Sequence, residues 1–314
     1  MSRAEIRLCA VSVDLDEMAN YHALHGLDLP SGEAAHAVYD RGLERLDDWA
    51  RSLEVPLTLF AIGADLERRE NADRLKALGE RGREIGNHTL NHRYDLTRLG
   101  RDEMLGQIEK GARAIQEATG YVPVGFRAPG YTVTDTLFEV LSELGPEYDS
   151  SVFPCPAYYG AKAMALALLR VRGRQSHSML DRPSVLRAPT RPYRIGRPYW
   201  KRGNGLLELP IQVTRGLRLP FIGTSLVLLG PTRARWLTRQ VLGVPLVNLE
   251  LHGIDALDES DGLETLRGHQ PDISIPVSRK LEALASAIET LRSEGYAFVQ
   301  LREAPEALRG AGLA

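Results

Sequence analysis

The sequence predicts an α/β fold in which repeated strand–helix units close into a (β/α) barrel, one domain over residues 1–314. Three observations carry this. Short β-branched or apolar runs alternate with segments whose apolar residues recur at helical spacing. About seven such units follow one another, which favours a closed barrel over an open sheet. The carboxylate, imidazole and guanidinium side chains suited to chemistry stand where the strand-like runs end, and in a parallel barrel those ends share one face.

Taken in order, residues 7–14 (RLCAVSVD) form a β-branched, apolar run expected to be a buried strand. Residues 34–53 place Val38, Leu43, Leu46, Trp49 and Leu53 at helical spacing. Residues 55–63 (VPLTLFAIG) give a second strand, 71–79 a helix and 83–86 a short third strand. Residues 101–119 are amphipathic, through Met104, Leu105, Ile108, Ala112 and Ile115, and Gly120 supplies the stop. A strand at 124–127, a helix at 135–144 and a strand at 148–153 follow. The repetition then breaks. Residues 156–205 are rich in Arg, Pro and Gly around one apolar stretch at 163–169, and are expected to be a basic insertion. Strands at 206–214, 246–251 and 297–301 and helices at 232–242 and 278–294 complete the pattern. The run RLPFIGTSLVLLG at 218–230 fits either a buried strand with its loop or a lipid-facing lip.

Composition narrows the class. Cys9 and Cys155, the two cysteines, have neither metal nor redox spacing, which argues against a disulfide framework. No uncharged apolar run approaches the roughly 18 residues of a membrane span. Residues 1–14 lack the apolar centre of a signal peptide. A cytoplasmic setting is therefore expected. The formal charge of −2 is unevenly spread: residues 160–249 hold 16 Lys or Arg against Asp181 and Glu208, a net of +14, leaving −16 elsewhere. Such a segment is either a solvated face or one that meets an anionic partner. The expected partner is an anionic membrane, touched peripherally from its inner face through 160–249; no nucleic acid is expected.

Among the polar residues at strand ends, His88 and His92 give the sharpest local signal. Two histidines four apart share one helical face and can bind one metal. A carboxylate would complete a catalytic donor set with an open position for water; two incidental polar residues at a helix start fit the spacing as well. Asp14 and Asp16, two apart on a strand, point the same way and repel unless a cation or proton intervenes. A capped turn is the plainer alternative. His22 and His25 lack carboxylate or thiolate partners and are expected in a loop lining a pocket, while His177 and His269 are expected at the surface. There is no Gly-x-Ser-x-Gly elbow to supply a nucleophile.

The segments VSVDLDE, GNHTLNH, FRAPGY, YDSSVFP and LELHG resemble, in order, the five motifs of the NodB-type polysaccharide deacetylases, carbohydrate esterase family four. The resemblance implies an irregular (β/α) barrel and one divalent metal, usually zinc, with cobalt, nickel and manganese as alternatives. It implies Asp16, His88 and His92 as metal ligands, Asp14 as general base and Arg127 as its partner. It further implies His252 as general acid, Asp149 as the residue that orients it, and a backbone N–H around Tyr131 as oxyanion donor. Leu15 separates the usually adjacent aspartates, as in the subgroup that includes the lipid-linked aminoarabinose deformylase. Gly130 is an extra residue in the third motif, and Val152 and Phe153 stand near the place of a customary tryptophan.

The expected function is thus metal-dependent removal of an N-acetyl or N-formyl group from an amino sugar, carried on an anionic lipid or polyprenyl phosphate. A soluble amidohydrolase for a small amide and a catalytically silent sugar- or lipid-binding barrel are the alternatives.

Overall fold

The structure, a computed structural model, describes residues 6–171 and 173–311. Its strands are β1 (Leu8–Asp14), β2 (Leu57–Ala61), β3 (Glu84–Asn87), β4 (Gly125–Phe126), β5 (Tyr148–Asp149), β6 (Tyr193–Ile195), β7 (Arg202–Glu208), β8 (Leu246–His252) and β9 (Ala297–Val299). The helices are α1 (Met18–His25), α2 (Leu43–Ser52), α3 (Arg69–Glu80), α4 (Arg101–Thr119), α5 (Asp135–Leu144), α6 (Pro156–Val171), α7 (Gly223–Arg239), α8 (Val277–Ser293) and α9 (Ala304–Gly310). The bounds of α4 and α5 coincide with those expected from the sequence. Both carry strong signals: Gly120 and Gly145 end them in the left-handed region, and the Thr134 side chain accepts from Leu137 N–H at the start of α5.

The sheet runs β6-β7-β5-β4-β3-β2-β1-β8, parallel except for the antiparallel edge pair β6–β7. β1 is central: β8 pairs along its whole length, while β9 pairs with Leu8–Ala10 and β2 with Val11–Asp14 on the other side. No ladder joins β7 to β8. The gap is spanned by the segment after β7, where Leu209 N–H donates to Asp149 O (2.8 Å) and Gln212 N–H to Asn248 O (3.0 Å). This is the irregular (β/α) barrel anticipated.

Every residue of β1 is buried, because both faces of the strand are covered. Cys9, Val11 and Val13 pack outward into the core that also contains Leu43 and Leu46 of α2 and Leu284 and Ile288 of α8. The alternate residues face inward. Low in the barrel, Ala10, Phe60, Tyr148, Leu207 and Leu301 form an apolar plug. Glu84 sits within it, satisfied by the hydroxyls of Thr58 (2.7 Å) and Tyr148 (2.7 Å) and by Arg302 N–H (3.0 Å). Above the plug the inward residues turn polar.

Residues 156–205, expected to be a basic insertion, include the 16-residue α6, the strand β6 and the start of β7. One expectation is corrected. The run at 218–230 is neither a strand nor a lip. Phe221, Ile222, Leu226 and Val227 are buried, and residues from Gly223 onward are the first turns of α7, which breaks at Gly230 (φ 70°) before Pro231. A short apolar run has no periodicity that separates a buried strand from a buried helical turn. No helix among the described residues is long and apolar enough to cross a membrane.

Candidate active site

The polar layer begins with Arg127, just past β4 and fully buried. Its Nη1 donates to Asp14 Oδ1 (2.6 Å), Nη2 to Ser12 Oγ (2.9 Å) and Ser150 Oγ (2.8 Å), and Nε to the Ser150 carbonyl (2.9 Å). Its guanidinium lies over the Phe60 ring, 4.2 Å from the centroid. Asn248 completes the layer, donating to Ser150 Oγ and the Leu209 carbonyl, both at 2.9 Å. A buried guanidinium is tolerable only when its donors are used and its charge is matched. Asp14 supplies the charge, and its second oxygen lies 3.9 Å from His88 Nε2.

His88 and His92 do not lie on a helix, as the spacing suggested. They belong to the loop after β3, which folds back through left-handed backbone at Thr89 (φ 70°) and His92 (φ 47°). Such positions cost about 1–3 kcal/mol each in a non-glycine residue and persist only when the surroundings hold them. Here Thr89 N–H donates to Asn87 Oδ1 (2.9 Å), His92 N–H to Thr89 Oγ1 (3.1 Å) and Leu90 N–H to the Gln107 carbonyl of α4 (2.9 Å). Gly111 lets α4 come this close: a Cβ there would fall 2.6 Å from the Thr89 carbonyl carbon.

The fold-back brings three donors together. His88 Nδ1 donates to the Arg127 carbonyl (2.8 Å), a partner that assigns the proton to Nδ1 and leaves a lone pair on Nε2. That nitrogen faces Asp16 Oδ1 at 3.4 Å, and His92 Nε2 lies 3.1 Å from Asp16 Oδ2. Asp16 Oδ1 and both ring nitrogens of His92 are buried without a directed hydrogen bond. One ligand atom from each of Asp16, His88 and His92 lies within 4.8 Å of the others. A two-histidine, one-carboxylate set with orphaned buried lone pairs fits a divalent cation. The local field agrees. Burial raises the Asp16 carboxyl, yet His92 and His88 bring it well below the usual range; burial lowers His88, yet Asp14 and Asp16 bring it above.

On the other side of Asp14 stands His252, its register partner at the end of β8. His252 Nδ1 is 2.8 Å from Glu250 Oε1, off the straight hydrogen-bond line, and Nε2 is 3.3 Å from the Tyr131 hydroxyl. Its backbone N–H is fixed by Asp255 Oδ2 (2.9 Å). Burial opposes charging of the ring, but Glu250 at its flank, and Asp16 and Asp14 beyond, hold it well above the ordinary histidine range. The side chain keeps 21% of its surface exposed, whereas Glu250 has none.

Glu250, not Asp149, is therefore the carboxylate against His252. Ser150 points into the barrel at Arg127, so by strand alternation Asp149 points out. Asp149 accepts from Ser151 Oγ (2.7 Å) and Ser151 N–H (3.1 Å) and pairs in register with Glu208 of β7. Burial raises both carboxyls, Glu208 further because Asp149 is beside it. The Tyr131 expectation also changes: its amide already donates to the Ala128 carbonyl (3.1 Å), and it is the hydroxyl that faces the site. Glu250, Ser12, Ser150 and Asn248 were not anticipated. The available signal was period two: Asn248, Glu250 and His252 alternate along β8, as Ser12 and Asp14 do along β1. His22 and His25 are not a metal pair. They lie on α1, His22 against the Asp28 carbonyl and Thr265 Oγ1, His25 against Gln270 Oε1 (3.3 Å).

Residues 36–148 match the family model for polysaccharide deacetylase, a stretch that carries His88, His92 and Arg127. Over 147 residues, 46% of this chain, the sequence is 24% identical to a peptidoglycan deacetylase of Helicobacter pylori and covers 49% of that protein. Among solved structures, a candidate polysaccharide deacetylase from Mycobacterium smegmatis superposes with a TM-score of 0.60 at 20% identity, covering 100% of this chain and 94% of that one. These findings support the polysaccharide deacetylase family. A carbohydrate esterase family 4 pseudoenzyme from Bacillus anthracis also superposes, with a TM-score of 0.51 at 14% identity over 96% of this chain and 66% of that one. The fold alone therefore does not settle activity, and the side chains must decide function. The subgroup suggested by Leu15 receives no support from these relatives. The chain spans about half the length, or less, of the curated relatives it matches.

Proposed function

We propose that this chain is a metal-dependent deacylase that hydrolyses the N-acetyl or N-formyl group of an amino sugar. One observation carries the reading: the orphaned Asp16–His88–His92 set stands beside the Asp14–Arg127 pair, with His252–Glu250 on the far side. Asp16, His88 and His92 would hold a divalent cation, zinc above the alternatives. When bound, such an ion polarises the acyl carbonyl and makes its water more acidic. Asp14, oriented by Arg127, takes the proton of the attacking water. His252, charged and held between Glu250 and the Tyr131 hydroxyl, delivers a proton to the departing amine. The Helicobacter relative supports an N-acetylated glycan as substrate class, and the +14 segment supports an anionic carrier.

The test is to measure bound metal, then release of acetate or formate from free and lipid-linked N-acyl amino sugars, with and without chelator. Chelator-sensitive release is expected, together with a thermal midpoint that falls on chelation and recovers with zinc. No bound metal and no release would leave a silent binding barrel. His252→Ala is expected to keep the metal and lose about 10² to 10⁴ in kcat, the usual share of a general acid. Glu250→Gln removes the charge that keeps His252 protonated, so the alkaline limb of its pH–rate profile should move to lower pH. An unmoved limb would remove Glu250 from that role.

A further inference from the structure

Helix α6 is built the wrong way round for a helix in water. Over Pro156–Val171 only Tyr159 is buried. Met164, Leu168 and Val171, at i, i+4 and i+7, are 71%, 48% and 84% exposed and form one apolar stripe directed at solvent. An ordinary surface helix turns such a stripe inward, and contiguous exposed apolar surface marks a place of contact. The helix contains no acid and carries in its last turn Arg170, which, like Arg187 farther along, makes no salt bridge among the described residues.

Its position ties it to the active site. The Tyr159 hydroxyl donates to the Tyr131 carbonyl (3.3 Å), and the Tyr158 ring lies 5.7 Å from the Tyr131 ring. The chain leaving α6 is fastened to α1 by Ser176 Oγ on the Leu24 carbonyl (2.6 Å) and His177 N–H on the Ala23 carbonyl (3.2 Å). There His177 and Met179 line a cavity of about 380 Å³ together with His92 and Tyr94. One end of α6 thus touches the residue beside His252, and its return touches the cavity beside His92.

From this we infer that α6 is an interfacial helix that seats the mouth of the active site on an anionic bilayer. The charge selects the occupant. Two copies joined symmetrically through this stripe would set like-charged helices, each with Arg170 and no acid, against one another, whereas anionic headgroups complement them. The stripe enters the acyl boundary while Arg170 and its neighbours stay at headgroup level. The inference rests on the deacylase reading only for the purpose of the docking, which would present the site to an amino sugar held at the membrane.

Vesicle flotation tests it without turnover. Wild type should float with vesicles of equimolar phosphatidylcholine and phosphatidylglycerol, less so as salt rises, and stay behind with phosphatidylcholine alone. Replacing Met164, Leu168 and Val171 together by Glu should cut the floated fraction at least about tenfold, with unchanged thermal unfolding and unchanged hydrolysis of a short soluble N-acetylated oligosaccharide. Leu168→Gln, a milder change at an exposed position, should give a smaller loss. Equal flotation of wild type and the triple variant would overturn the proposal. So would a wild-type dimer in solution that the triple variant dissolves while neither protein binds vesicles. Flotation intact but hydrolysis absent would count against the deacylase reading alone.

Discussion

Asp14→Asn should abolish useful turnover, by about 10³-fold or more if the residue is the general base, while metal content stays at the wild-type level. The substitution keeps shape and an acceptor oxygen for Arg127 Nη1, which lies 2.6 Å away in the native pair. It removes the negative charge, and with it the ability to take a proton. The three candidate ligands do not include Asp14, whose free oxygen is 3.9 Å from His88 Nε2. Kinetics and elemental analysis on the same preparation separate the outcomes. Loss of metal along with activity would mean that Asp14 and Asp16 have been given each other's roles.

Arg127→Met should cost about 3–5 kcal/mol of stability, the usual penalty for stripping one partner from a buried ion pair. Few positions in this chain should be as costly, because the guanidinium does three things at once. It neutralises Asp14, satisfies Ser12 of β1 and Ser150 just past β5, and covers Phe60. Met preserves most of the volume, so the loss would be electrostatic rather than a packing void. Urea unfolding gives the magnitude. Arg127→Lys, which restores charge but not the fork, should recover part of the stability. A fully stable Arg127→Met would show that other groups match Asp14 in the native protein.

Much of the site was legible because strand ends can be read from sequence. Asp14, Arg127 and His252 each close or follow an apolar run, and the structure brings all three to one rim. The convergence of His88 and His92 was anticipated for the wrong local reason. Helical spacing suggested it, but the left-handed turns at Thr89 and His92 achieve it, and those depend on Gln107 and Gly111 of a helix that comes later in the chain. Asp149 failed as the orienting residue because one position of strand alternation separates it from the inward Ser150. In a two-residue strand, period two leaves too short a pattern to assign faces.

The sequence alone determined the barrel, the order of most of its units and the arrival of Asp14, Arg127 and His252 at its rim, since apolar runs, helical spacing and caps are local properties. Tertiary structure decided who meets whom across the rim. Glu250 rather than Asp149 lies against His252, Arg127 is held by β1 and the residue just past β5, and the apolar stripe of α6 is left in solvent. The physical reason is that pairing, facing and burial depend on register and on neighbours far away in the chain. A residue's own surroundings in sequence carry no record of these.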